Sequence, residues 1–396
     1  MSWIETLVDS YKESETPTKF IFWSGLASIA AVMQKRVYLD RYIYTLYPNI
    51  YVFIIAKSGM KKGTPITLAK KLVKNANITR IVSGHNSMPR IIQDFGKAYS
   101  LEGGGIVRDA QGFLVTGELA AFLVKDPDAL TMLTDLHNTH EHEDFWENSL
   151  KSTGVDKLKS PCLTILGATN EEHFPDAVPN NAIGGGFIAR TFIVLSNERG
   201  QLNSLTRAPK SIPNIPKLSE HLQELTKVSG EFQWGAHSKD TYDDWYYPFM
   251  KTVDGHDPTG TYNRIGDQIL KLAMLLALSD GPDLILKESN IVEGITVGSD
   301  CIQGMKMVTM GAGKSNLAYQ TKIVVQELLN APDNKLTRAN ILSKHWGNMT
   351  DFDLDRIAET LRSANAIDII VAATVVTYVM KKETISIYQK AVRGIQ

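Results

Sequence analysis

The sequence predicts an α/β fold built on a largely parallel sheet, preceded by a helical segment and followed by a small unit of helices and a hairpin. Three observations predict it. Tyr51-Val52-Phe53-Ile54-Ile55 is a run of β-favouring apolar residues that enters a polar turn, and the turn leads into Thr64 to Val73, which has helical spacing. Further apolar strand-like runs at 78–84, 112–116, 162–170 and 191–194 alternate with helical stretches, the pattern of parallel strands joined by crossover helices. After residue 317 the pattern changes to three helices and then two short apolar strands.

Length and composition bound the answer. At 396 residues the chain holds one large domain and a smaller one. Its 43% hydrophobic and 21% charged content is that of a globular protein in water. A net charge of -1 gives no global basic signature for nucleic acid, so any such surface is local. Cys162 and Cys301 stand alone, which excludes a disulfide framework and a zinc ribbon. The polar Met1 to Glu5 start does not suit a signal peptide, and the apolar run 21–33 is too short to span a bilayer. A cytoplasmic protein with no membrane partner is the expectation.

Residues 1–48 read as a helical segment: a helix over Trp3 to Tyr11, a break at Pro17, an apolar helix over Phe20 to Gln34, and two short strands at 37–40 and 41–44. The turn after Ile55 then supplies what a phosphate loop needs. Ser58, Gly59, Met60, Lys61, Lys62, Gly63, Thr64 and Pro65 offer backbone N–H groups at a helix N-terminus, a lysine for the β- and γ-phosphates, and a hydroxyl for Mg2+. Lys62 and Thr64 fit the last two roles. The match to G-x-x-x-x-G-K-[ST] is imperfect, because Ala56 and Lys61 stand where glycines would be and Gly63 precedes the hydroxyl. An ordinary basic strand-to-helix turn is the competing reading.

Downstream, Gly103-Gly104-Gly105 marks a turn and Gly112 to Thr116 a buried strand, which runs into Gly117-Glu118-Leu119. Glu118 is placed to orient an attacking water and to share a metal with Thr64, although a helix-capping role is equally natural for a carboxylate there. His137, His140 and His142 lie at a spacing that suits no standard metal site. Lys151 to Lys159 reads as a hairpin with a basic tip. The strand Cys162 to Thr169 ends at Asn170, which a parallel sheet brings beside the phosphate loop. Gly184-Gly185-Gly186 then bends the chain before Arg190, which precedes the last strand. An arginine there is placed to reach a neighbouring subunit's γ-phosphate.

Residues 201–316 read as a helical lid. Its 199–230 stretch carries little signal, and Arg264 heads a strongly apolar helix. Gly311-Ala312-Gly313-Lys314-Ser315 is a better literal match to a phosphate loop, but no strand feeds it. In 317–396 the three helices and hairpin form a winged-helix pattern whose third helix carries Asp351, Asp353, Asp355 and Glu359, a poor surface for phosphate.

Assembled in this order, the sequence resembles the AAA+ ATPase domain of phage- and plasmid-encoded primase-helicase proteins, which are similar to the MCM replicative helicases. The resemblance covers about residues 2–280 and rests on Tyr47-Pro48-Asn49-Ile50-Tyr51, Thr116-Gly117-Glu118-Leu119, Leu166-Gly167-Ala168-Thr169-Asn170, Gly184 to Arg190, and Arg264 with its helix. It implies a P-loop AAA+ core at 49–200, with Lys62 and Thr64 as Walker A residues and Glu118 as the Walker B glutamate. By the same likeness Asn170 is sensor 1, Arg190 the arginine finger and Arg264 sensor 2. The hairpin lysines Lys151, Lys157 and Lys159 become a loop gripping single-stranded or forked DNA. It further implies ATP and Mg2+ as cofactors, a hexameric ring, and a separate primase or initiator protein. An ATP-dependent helicase loader or switch is the alternative. Both readings require Lys62, Glu118 and Asn170 to lie side by side along one sheet edge, facing an arginine from the adjoining protomer.

Overall fold

The computed structural model describes residues 1–385 except 78, 85–86, 98, 101–105, 108, 127, 138–144, 151–153, 175–177, 179–185, 197, 205–211, 254–258, 310–316, 348 and 374. Lys151, His140, His142, Gly103 to Gly105, Gly184, Gly185 and the Gly311 to Ser315 segment lie outside the described residues. The chain divides into two compact units, Met1–Met305 and Lys306–Gln396.

The first unit opens with α1 (Trp3–Asp9), whose free N–H groups are met by a capping box: Ser2 Oγ accepts from Glu5 N and the Glu5 carboxylate accepts from Ser2 N. Helix α2 (Thr18–Met33) is buried almost all round from Phe20 onward, and the Ser24 and Ser28 hydroxyls donate to carbonyls one turn back, so no polar group is stranded. It is a core helix packed on the helix Gly63–Ala76 and on the sheet. Strand β1 (Val37–Asp40) pairs with β2 (Thr45–Leu46), not with 41–44 as the sequence suggested. The reason is local. Asp40 Oδ1 accepts from Tyr42 N and Tyr42 sits at φ 63°, so 41–44 is spent on the turn.

The central sheet is formed by β3 (Tyr51–Ala56), β4 (Arg80–Ser83), β7 (Gln111–Thr116), β10 (Cys162–Asn170) and β11 (Thr191–Leu195), after the short pair β5 (Tyr99–Ser100) and β6 (Ile106–Val107) and the hairpin β8 (Phe145–Leu150) and β9 (Gly154–Lys159) are set aside. All four pairings in it are parallel, in the order β11-β3-β10-β7-β4. Strands β3 and β7 are buried at every position, as both faces are covered. Helices α3 (Gly63–Ala76), α4 (Met88–Gly96), α5 (Leu119–Lys125) and α6 (Ala129–His137) make the crossovers. The sequence expectation of a parallel α/β sheet holds.

Beyond the sheet come α7 (Ile215–Leu225), the pairs involving β12 (Gly230–Glu231) and β13 (Gln233–Trp234), α8 (Ser238–Thr252), α9 (Thr261–Asp280), β14 (Ile285–Leu286) and α10 (Glu288–Thr309). Helix α7 lies where the sequence offered little signal. Asn214 caps it by accepting from Lys217 N, and Leu218, Leu222 and Leu225 form its buried stripe.

Among its described residues the second unit packs three helices on a three-stranded antiparallel sheet. Helices α11 (Ala318–Asn330), α12 (Arg338–His345) and α13 (Asp351–Ser363) enclose Leu328, Ile341, Leu354, Ile357 and Tyr378 with the sheet β15 (Lys335–Thr337), β17 (Val375–Met380), β16 (Ile367–Ala372). The acids of α13 have structural partners: Asp353 closes a capping box with Thr350, and Asp351 and Asp355 meet Arg338.

Candidate functional site

The parallel register fixes which side chains meet. Asn170 pairs with Ala56, and Thr116 pairs with Gly167, so the ends of β3, β10 and β7 reach one edge of the sheet together. That edge is where open α/β sheets bind ligands. Strand β10 lies between the other two, which puts Asn170 between the polar loop and Glu118.

The loop from Lys57 to Lys62 makes two left-handed steps. Gly59 has φ 83°, natural for glycine, and Lys61 has φ 54°. The side chain at 61 thus adopts the conformation that a glycine would take, at a cost of about 1 kcal/mol. Met60 is buried as the anchor, while Lys57, Ser58 and Lys61 face solvent. Lys61 is held by Glu15 at 3.2 Å. Lys62 is the N-cap of α3, and Thr64 lies in that helix's first turn with its N–H on the Lys61 carbonyl. Alternating left- and right-handed residues at a helix start curve the N–H groups into a concavity suited to an anion.

Lys62 folds across this loop. Its Nζ donates to the carbonyls of Ala56 (2.7 Å) and Lys57 (2.8 Å) and to Asn170 Oδ1 (2.7 Å), three acceptors for the three donors of an ammonium. Burial lowers its pKa, and the charge of Glu118 opposes the drop. Glu118 is therefore an electrostatic neighbour of Lys62. The capping role open to Glu118 in the sequence is not taken, since its side chain makes no cap hydrogen bond to α5. A Cβ at Gly63 or at Gly117 would meet nothing within 4 Å, so the space over the loop and before the acid is open.

Arg190 and Arg264 belong to a different place. Thr191 pairs with Tyr51, so Arg190 stands at the start of the strands, about 17 Å along β3 from the loop. It does not emerge on the surface. It is 6% exposed, closes a 3-10 turn at Ile188–Arg190, and its Nη1 donates to Gly186 O at 2.7 Å. Burial, and then the neighbouring Arg264, pull its pKa down to about 10. The two arginines share a cavity of about 220 Å³ with His137, Asp267, Gln268 and Lys271. Arg264, at the head of α9, is the exposed one. One chain thus gathers Lys62, Thr64, Glu118 and Asn170 at one edge, and its two arginines at the other.

The hairpin β8–β9 exists, and its described lysines, Lys157 and Lys159, lie along the returning strand rather than at a tip. Lys157 is on the returning strand, paired with Glu147 at 2.7 Å and set over the Phe145 ring. Lys159 is exposed at the hairpin base, where it pairs with Phe145. Among the described residues no cluster of His, Cys, Asp and Glu fits a metal, and no helix is long and apolar enough to cross a membrane.

Sequence reasoning missed Lys271, which hides in the apolar stretch of α9. It is 4% exposed and donates to Asn49 O (2.9 Å) and Asn49 Oδ1 (2.8 Å). Burial takes its pKa from 10.5 to about 8, with Arg190 pushing the same way and Asp267 and Cys162 opposing. Between about pH 8 and 10.5 the unfolded chain holds a proton that the folded chain has released, so this group makes stability rise with pH across that window. Relative to Lys271→Met, the wild type is expected to gain up to roughly 3 kcal/mol of unfolding free energy between pH 7.5 and 10.5. Urea unfolding of both proteins at the two pH values checks this, and a constant difference between them contradicts it.

Comparison with known proteins found no family model that matches the chain and no match among curated proteins.

Proposed function

We propose that the chain is an ATP hydrolase of the P-loop AAA+ kind that assembles as a ring and moves along single-stranded DNA. The observation that carries the hydrolase reading is Lys62 Nζ at 2.7 Å from Asn170 Oδ1, beside Glu118, at the binding edge of a parallel sheet. An incoming polyphosphate takes the place of the carbonyls and amide that now occupy Lys62, and the loop N–H groups hold its oxygens. Glu118, uncommitted to its helix, accepts a proton from the attacking water, and Asn170 orients that water or the terminal phosphate. The open space over Gly63 and Gly117 and the hydroxyl-plus-carboxylate donor set suit Mg2+, which Thr64 and Glu118 would hold with water completing the shell. When bound, it neutralises phosphate charge.

The ring is supported by where Arg190 and Arg264 lie. Both stand at the far edge of the sheet, too far to serve the loop of their own chain, so a nucleotide they reach belongs to a neighbour. The second unit, three helices with a three-stranded sheet, fits a winged helix. The hairpin is the candidate DNA grip, and a separate primase or initiator protein is the expected partner. A second reading, a helicase loader or switch without unwinding activity, is favoured by one observation: Lys157 is neutralised by Glu147.

Two measurements test these readings. Glu118→Gln is expected to bind ATP normally and to release phosphate about 10²- to 10⁴-fold more slowly. Wild type hydrolysing no faster than this variant removes the enzyme reading. ATP-dependent strand displacement supports the translocating helicase, whereas DNA-stimulated hydrolysis without displacement supports the loader.

A further inference from the structure

We propose that Arg199 is a further nucleotide-binding residue, supplying from the same chain a guanidinium for the polyphosphate held on the Lys57–Lys62 loop. This rests on reading that loop as a phosphate loop. Arg199 comes four residues past the end of β11, and Leu195 pairs with Ile55, so the chain delivers it to the sheet edge that carries Lys62. Its Nη2 lies 3.8 Å from the place a Cβ on Gly59 would occupy, directly against the left-handed step of the loop. The side chain is exposed, and none of the ion pairs among the described residues uses it.

The backbone under Arg199 is built to hold it there. Gly200 N donates to Glu15 O at 3.0 Å, and a Cβ at position 200 would fall 2.3 Å from Ser14 O and 2.6 Å from Thr16 O. Only glycine permits that approach. Asn203 Nδ2 donates to Glu13 O at 3.1 Å, two residues from the carboxylate of Glu15 that holds Lys61. One short segment, Glu13 to Thr16, therefore fixes both the chain carrying Arg199 and the loop it faces.

A guanidinium so placed offers two parallel N–H donors to phosphate oxygens, a geometry that a lysine ammonium cannot reproduce. With Lys57, Lys61 and Lys62 on the same loop, it also concentrates positive charge that an anion relieves. The ligand class is a nucleoside di- or triphosphate. Because Arg190 and Arg264 lie at the far edge, Arg199 is the arginine among the described residues placed to serve this chain's own nucleotide.

Calorimetric titration of wild type, Arg199→Ala, Arg199→Lys and Lys62→Ala with ATP and Mg2+ tests the assignment, with melting curves to confirm that each variant is folded. Loss of a charge-assisted phosphate contact is expected to weaken ATP about tenfold or more in Arg199→Ala, with Arg199→Lys in between. Wild type that binds ATP, loses it in Lys62→Ala and keeps it unchanged in Arg199→Ala overturns this inference alone. Wild type that binds no ATP overturns the phosphate-loop reading and this inference with it.

Discussion

Replacing Lys62 with alanine is expected to lower the rate of phosphate release from ATP by about 10²-fold or more, the range seen when one preorganised donor to developing charge is removed. The loss has two parts. The ammonium that neutralises the transferring phosphoryl group is gone, and before the nucleotide arrives Asn170 loses the partner that holds its amide at the loop, so the site is less preorganised. The fold is expected to survive, because Lys62 sits in a partly exposed loop and the carbonyls it now covers can turn to water. Melting temperature and phosphate release measured on the same sample separate the two effects. Lys62→Arg keeps the charge, but its larger planar head does not fit three acceptors spread over Ala56, Lys57 and Asn170, so little activity is expected to return. Hydrolysis by Lys62→Ala at the wild-type rate removes the loop from the chemistry.

The parts of the site that periodicity and strand order control were legible in the sequence. The apolar run ending at Ala56, the acid at 118 and the asparagine at 170 each follow a buried strand, and parallel strands end at one edge whatever their loops do. Side-chain direction was not legible. Arg190 precedes a strand in the sequence like any surface arginine, yet the 3-10 turn folds it onto Gly186 and buries it. Lys271 was invisible for the opposite reason: it interrupts an apolar helix only once, and its partner Asn49 lies 222 residues away. Lys157 looked free because the glutamate that neutralises it comes from the opposite strand of a hairpin whose register no local pattern sets. Arg199 had a usable signal, since a polar loop leaving the C-terminal end of a strand beside β3 lies at the edge where open α/β sheets bind ligands.

Arg264→Ala is expected to bind ATP normally yet lower hydrolysis about 10³-fold, the effect of losing an arginine that stabilises transition-state charge. Arg264 is the more informative of the far-edge pair. It is exposed, so truncation removes little packing, whereas Arg190→Ala would empty a buried position and confuse stability with chemistry. Burial first and the neighbouring Arg264 second disfavour the charge on Arg190, and a negative phosphate arriving at their cavity would relieve both. If that phosphate belongs to a neighbouring protomer, mixing two inactive variants has a definite consequence. A subunit with Lys62→Ala still carries Arg264, and a subunit with Arg264→Ala still carries an intact loop. In mixed rings some loops of the second kind face arginines of the first, so activity is expected to reappear in proportion to such pairs. An arginine acting within its own chain gives no such recovery, because every active loop in the mixture would belong to a subunit lacking it. Phosphate release measured across mixing ratios decides between the two, and a flat baseline at every ratio would mean that the far-edge arginines serve something other than a neighbour's nucleotide.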